Sequence, residues 1–383
     1  MIDAAEYLLL VSDELTHAVA ANRHRDHLEV ALDRRVPHAR AVATQVKYLA
    51  RALDKLPAYA AAQCILPPRA FEQASSERCA VHKSIGGDSV LDLTCGLGVD
   101  AWALSRRFRR VVTLERDEGL ARIARENFRR LNIDNVEVEA TSAEEYLAGC
   151  RERFDWVYAD PDRRAADGRK LVRLEDCSPR VLDLLPAIRR VAGRLCLKNS
   201  PLFDVDEALR LFPDCRVEVV SLDGECKEVV ICDDGTGPSV TATALGDPDR
   251  SFTARPDAAV PQPGSFDPAR YGWLTVPDAA LQKARLTRQH LAGRADVWSD
   301  GGFGFSVERP EGAIGKVWAI ESIEPYDPRS LKRACKGCGA TILKRDFPLP
   351  VEEIMRRTGL HAGDDVRLAF TRIEGRFWTI RLK

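Results

Sequence analysis

The 383-residue chain has almost no net charge: 57 Lys and Arg stand against 58 Asp and Glu, leaving −1. That balance removes any global electrostatic case for nucleic acid, so such a case must be local. No apolar run approaches the ~18 residues a membrane helix requires. The short stretch 8–11 lies among Asp3, Glu6, Asp13 and Glu14, which suits neither a span nor a signal peptide. There is no internal repeat and no low-complexity tract. Eleven cysteines, odd in number and scattered, exclude a disulfide framework and point to reduced thiols in a cytoplasmic compartment. Structural zinc needs four ligands; Cys335 and Cys338 form a single C-x-x-C and His361 does not complete it, so no metal is expected.

What the chain does carry is a glycine signature. Residues 88–98 read Asp-Ser-Val-Leu-Asp-Leu-Thr-Cys-Gly-Leu-Gly, an apolar run ended by Gly96 and Gly98 and followed by a helix-like stretch from about Asp100 to Arg107. Strand, glycine turn and helix in that order make a loop whose amides can face a ligand. Two ligands compete for it. Residues 96–101 fit the dinucleotide fingerprint G-x-G-x-x-G/A, with Glu115 where a ribose-binding acid is expected. Asp92 shifts the balance, because a carboxylate just before the turn welcomes a cationic amino-acid group and repels a pyrophosphate. The run Asp92-Leu-Thr94-Cys95-Gly96-Leu-Gly98 resembles motif I of the class I S-adenosylmethionine (SAM) methyltransferases. That resemblance implies backbone contacts from the turn to the cofactor and a Glu115 carboxylate on the two ribose hydroxyls.

Along the chain, residues 1–60 show apolar spacings of three and four, predicting amphipathic helices broken near Pro37 and Pro57. The Ser75-Ser76-Glu77 cluster either caps a short helix or folds over the open end of the following sheet. From 88 to about 233, strands at 89–94, 110–115, 136–140, 154–159 and 194–199 alternate with helices near 98–107, 117–131, 142–149, 178–192 and 204–212. A hairpin of 216–222 and 227–232 turns at Asp223-Gly224. This α/β pattern matches the seven-stranded methyltransferase sheet, whose last strand is antiparallel. Segment 238–263, rich in Pro, Gly and Asp, reads as a linker, and 271–310 as a small βαβ-like unit with a helix over 278–293. The end of the chain reads as an α+β segment with a helix at 351–358 and strands at 366–373 and 377–382.

After the fourth strand comes Asp160-Pro161-Asp162-Arg163-Arg164. Asp160 should face the crevice shared with Gly96 and Glu115. Asp-Pro resembles motif IV of methyltransferases that modify exocyclic amines, where an oxygen acceptor and a rigid backbone orient the amine lone pair. Asp162 and Arg163 replace that motif's second proline and aromatic ring, so the usual platform for a flipped base is missing. Arg163 and Arg164 either neutralise a phosphate or form loop ion pairs. C5-pyrimidine chemistry needs a cysteine nucleophile beside the cofactor; no Pro-Cys follows the fourth strand, and Cys177 and Cys196 lie elsewhere, which excludes that class. Ser142 falls where the family usually has an acid on the adenine amine, and Lys198 closes the fifth strand, either reaching the reacting centre or standing in solvent. Residues 329–383 hold 13 basic and 6 acidic residues, a +7 segment in which Lys332, Arg333, Lys336, Lys344 and Arg345 form a candidate phosphate-contacting footprint.

The whole resembles a bacterial group of class I SAM-dependent methyltransferases with a ferredoxin-like segment and a C-terminal THUMP-like domain. Residues 72–77, 92–100, 160–164, 197–201 and 344–348 carry the likeness. It implies an N-terminal helical region (1–83), a SAM-methyltransferase domain (84–235), a ferredoxin-like segment (240–312) and a THUMP-like domain (313–383). By that resemblance SAM is the cofactor, Asp160, Pro161 and Lys198 serve catalysis, and the terminal domain delivers RNA, either tRNA or rRNA.

Overall fold

A computed structural model describes residues 2–162, 174–256 and 259–383. These fall into two compact units, 1–204 with 230–237, and 205–229 with 238–383. In the first unit, β1 (Gly87–Asp92), β2 (Phe108–Leu114), β3 (Val136–Glu139), β4 (Phe154–Ala159) and β5 (Ala192–Asn199) stand in the order β3-β2-β1-β4-β5, with every pairing parallel. The strands were expected within about two residues of these bounds. β1 and β4 are buried at their carboxyl ends, which is why they read as continuous apolar runs.

The helices owe their positions to local signals. Asp3, Ser12 and Asp26 cap the helices Ala4–Leu10, Asp13–Asn22 and His27–Leu32, Pro57 opens Pro57–Ala61, and Asp117 caps Glu118–Arg130. The long helix Ala39–Lys55 turns Val42, Ala43, Val46 and Ala52 inward. The N-terminal helices are tied to the sheet's own helices by one buried amide. Asn127 Oδ1 accepts the Ile65 N–H at 2.7 Å while its Nδ2 donates to the Ile65 carbonyl at 2.9 Å.

In the second unit, β6 (Arg216–Leu222) turns into β7 (Glu225–Asp233) through Asp223 and Gly224, both at positive φ, the expected hairpin. β7 continues into the first unit, where it follows β5 in strand order. The expected linker is instead two strands, β8 (Ser239–Leu245), parallel to β6, and β9 (Arg250–Ala254), antiparallel to β8. Val240 and Ala242 are buried on one face and Thr243 and Leu245 on the other, so β8 is covered on both sides beyond its first residues. The expected βαβ-like unit also differs: β10 (Trp273–Pro277) and β11 (Gly304–Ser306) pair antiparallel. The single expected helix there is two short ones, Ala279–Lys283 and Thr287–Leu291, separated where Arg285 adopts φ 57°. The second sheet is completed by β12 (Gly315–Pro325), β13 (Gly339–Lys344), β14 (His361–Ala362), β15 (Val366–Ile373) and β16 (Arg376–Leu382), with the helix Val351–Thr358 crossing from β13 to its parallel neighbours. Cys335 of the C-x-x-C packs inside the apolar cluster around Phe347, Ile354 and Phe370.

Gly98 is the residue on which the turn after β1 closes. Its φ is +86°, and a Cβ there would meet the Phe128 ring at 2.7 Å. Gly98→Ala is expected to lower stability by about 1–3 kcal/mol, read as a lower urea midpoint at unchanged slope; an unchanged midpoint would show that the ring moves aside freely.

Candidate active site

The carboxyl ends of β1 to β5 open onto a cavity of about 810 Å³, a size that suits a cofactor-sized ligand. Thr94, Cys95, Gly96, Glu115, Ser142, Asp160 and Pro161 all line it, so residues scattered over 68 positions meet as the resemblance implied. Asp92, Gly98 and Lys198 are not on its wall.

Asp92 is fully buried at the end of β1. One oxygen accepts the Thr94 N–H at 3.0 Å and the Thr94 hydroxyl at 3.2 Å; the other accepts the Thr113 hydroxyl at 2.6 Å. These three hydrogen bonds make the carboxyl group an organiser of the turn. Thr94 Oγ1 in turn accepts the Asp160 N–H at 2.7 Å, which fixes the end of β4 against the end of β1. The Cys95 N–H reaches the Leu114 carbonyl at 2.8 Å and pulls the turn toward β2.

Glu115, half-buried beside the turn, accepts the Gly96 N–H on one oxygen and the Asp117 N–H on the other, each at 2.9 Å. Burial raises its pKa above the ordinary value while these two amides oppose the rise. Gly96 has φ +56°, and open space lies where its side chain would stand. A glycine turn beside an immobilised carboxylate, in a cavity with apolar walls at Leu93, Leu97 and Leu114, fits the ribose and methionine parts of SAM. Ser142 lines the same space but is also the N-cap of the helix Ala143–Gly149, in a reciprocal capping box with Glu145.

Lys198 does not stand in solvent. Its ammonium is buried, donates to Asp160 Oδ2 and to Ser75 Oγ at 2.7 Å, and lies 3.7 Å from Asp100. Ser75 donates to Asp100 at 2.8 Å, and Lys83 pairs with the same carboxylate at 3.4 Å. Burial works against ionisation of Asp100, but Lys83 and Lys198 outweigh it and hold its pKa below the usual carboxylate range. The Ser75-Ser76-Glu77 cluster does both things open to it: Ser76 caps the helix Glu77–His82 while Ser75 reaches the cavity floor.

Ser75, Asp100 and Lys83 carry weight that the sequence reading did not give them. Ser75 and Asp100 lie inside the quoted stretches, where adjacency to a motif was the available signal; Lys83 had none, since only packing buries it. Asp162 exchanges backbone hydrogen bonds with Ser178, whereas Arg163 and Arg164 lie outside the described residues. Among the second unit's basic residues, Lys332, Arg333 and Lys336 are exposed on the helix Pro328–Cys335 and its C-cap. Lys344 and Arg345 are only half-exposed; the first donates to the Leu349 carbonyl at 3.1 Å, and burial lowers the pKa of the second. The five do not form one exposed patch, because β13 turns its last residues partly inward.

Burial pushes the Asp92 carboxyl up to about 7, against hydrogen bonds from Thr113 and Thr94 that lower it. The folded state therefore holds this proton between about pH 4 and pH 7 where the unfolded chain has released it, and stability falls as pH rises through that window. Asp92→Asn should flatten the fall, by on the order of 4 kcal/mol between the two limits. Urea titrations at pH 4, 5.5 and 7.5 test this; parallel curves for the two proteins would refute it.

Residues 315–383 match the family described as THUMP domain-like, and residues 74–174 match the one described as conserved hypothetical protein 95. An uncharacterised SAM-dependent methyltransferase of Mycobacterium tuberculosis (strain ATCC 25618 / H37Rv) is 27% identical over 338 residues, covering 84% of this chain and 90% of that protein. A 23S rRNA (uracil(1939)-C(5))-methyltransferase of Xanthomonas campestris pv. campestris (strain 8004) is 43% identical, but over 82 residues, 21% of this chain and 18% of that protein. The crystal structure of a protein of Porphyromonas gingivalis W83, provisionally named a methyltransferase, superposes with a TM-score of 0.82 at 24% identity, covering 100% of this chain and 99% of that one. At that identity the likeness speaks for the fold. Over most of its length the chain is thus similar to SAM-dependent methyltransferases, with a THUMP-like domain at its C-terminus.

Proposed function

We propose that the protein methylates a nitrogen of an RNA base, with the THUMP-like domain delivering the RNA. The observation that carries this reading is the hydrogen bond from the Asp160 N–H to Thr94 Oγ1, which fixes the acceptor-side Asp-Pro step against the cofactor turn. When bound, SAM supplies an electrophilic methyl group on a sulfonium; the acceptor nitrogen's lone pair forms the new N–C bond, sulfur keeps the S–C pair, and nitrogen gives up a proton. Glu115 would hold the ribose hydroxyls and the Gly96 turn the methionine end. Asp160, with the rigid Pro161, would accept a hydrogen bond from the acceptor NH and aim its lone pair.

Charge supports a nucleobase. Lys83 and Lys198 balance Asp100 and Asp160, so this group of four side chains adds no net charge beside the acceptor position, which suits an uncharged aromatic amine. Pro161, Pro179 and Pro201 line the cavity and offer flat apolar surface where the aromatic residue of motif IV is missing. Carbon methylation of a pyrimidine is not supported. Cys95 lines the cavity, but burial raises its thiol well above the ordinary range and leaves it protonated and unreactive. RNA as the carrier of the base rests on the THUMP-like segment and the exposed Lys332, Arg333 and Lys336.

Asp160→Ala should leave S-adenosylhomocysteine affinity within about twofold by calorimetry while lowering tritium transfer from SAM to total RNA by about 100-fold or more. Equal loss of both would reassign Asp160 to the cofactor. Reversing the charge of Lys332, Arg333 and Lys336 together should weaken RNA binding and reduce the slope of log K against log salt by up to about 2, at about 0.7 per single-strand phosphate contact. Unchanged affinity would rule out the delivery role of that helix.

A further inference from the structure

A chain of alternating charges runs through the floor of the cavity. Lys83, anchored by donating to the Cys79 carbonyl at 3.1 Å, faces Asp100; Asp100 faces Lys198; Lys198 donates to Asp160. Ser75 clips the middle, its hydroxyl donating to Asp100 and accepting from the Lys198 ammonium. Side-chain exposure is low throughout, 19% at Asp160, 8% at Lys198, 11% at Asp100 and 2% at Lys83. Burying four ionised groups is expensive, and apolar residues of the same volume would stabilise the fold about as well, so stability does not account for the arrangement. Its position does: the chain ends on the one carboxylate that the acceptor site requires.

We infer that Ser75, Asp100 and Lys83 are positioning residues that hold Lys198 on Asp160, so that the Asp160 carboxyl stays aimed within the cavity. The members come from separate parts of the chain: Ser75 lies just before the helix Glu77–His82, Lys83 just after it, Asp100 in Val99–Leu104, and Lys198 and Asp160 at the ends of β5 and β4. Ser75 is the member with no charge of its own. Without its hydroxyl, Lys198 loses one acceptor and is drawn toward Asp100, away from Asp160.

The consequence for turnover rests on the role proposed above for Asp160, but the pairing can be measured without any substrate. Crystal structures of the Ser75→Ala and Ser75→Thr variants make that measurement. In Ser75→Ala the Lys198 ammonium should leave hydrogen-bond distance of Asp160 and move toward Asp100, whereas Ser75→Thr, which keeps the hydroxyl, should hold it where the unsubstituted protein does. An ammonium that stays on Asp160 in Ser75→Ala, or a Thr variant that behaves like Ala, would overturn the inference. A failed RNA methylation assay beside the expected structures would count against the RNA reading only.

Discussion

The site depends on one buried carboxyl group at the end of β1. Asp92 gathers the Thr94 amide and hydroxyl and the Thr113 hydroxyl, and through Thr94 it governs where the backbone of Asp160 stands. A carboxylate with no exposure is a costly way to shape a turn. What it accomplishes is coupling: the ends of β1, β2 and β4 are brought into one hydrogen-bonded unit, so the cofactor turn and the acceptor residue cannot drift apart independently. Methyl transfer in line requires that kind of fixed separation.

The two sides of the cavity then solve different electrostatic problems. On the cofactor side, Glu115 is held by two backbone amides and keeps its partly desolvated charge for hydroxyl partners. On the other side, Asp160 has the Lys198 ammonium beside it. One carboxylate is supported by dipoles and the other by a counter-ion.

Much of the catalytic sheet was legible in the sequence because parallel, doubly covered strands leave long apolar runs, and because Gly96, Gly98 and Glu115 sit at spacings that the turn imposes. The limits of legibility are equally physical. β8 and β9 were masked by the Pro, Gly and Asp residues of their turns, and β8, buried at Val240 and Ala242 on one face and at Thr243 and Leu245 on the other, shows no clean alternation. The antiparallel pairing of β10 and β11 depends on partners distant in sequence, which no local pattern carries. Lys198 was read from its position at a strand end, where lysines commonly reach solvent; its burial follows from Ser75, which comes from more than a hundred residues upstream. Asp92 was correctly placed at the turn, and only the direction of its carboxylate was hidden.

The packing of Phe128 against Gly98 has a further bearing on how the molecule divides into parts. Phe128 belongs to the helix Glu118–Arg130, and its neighbour Asn127 is the residue that locks onto both polar groups of Ile65. The cofactor turn therefore rests on an aromatic ring whose helix is braced from the N-terminal helical region. That region is a foundation of the sheet and not an attachment to it: a fragment beginning at β1 would keep the glycine turn, Glu115 and Asp160 yet lack the brace behind the turn. The smallest unit able to present the glycine turn in this shape begins upstream of Ile65.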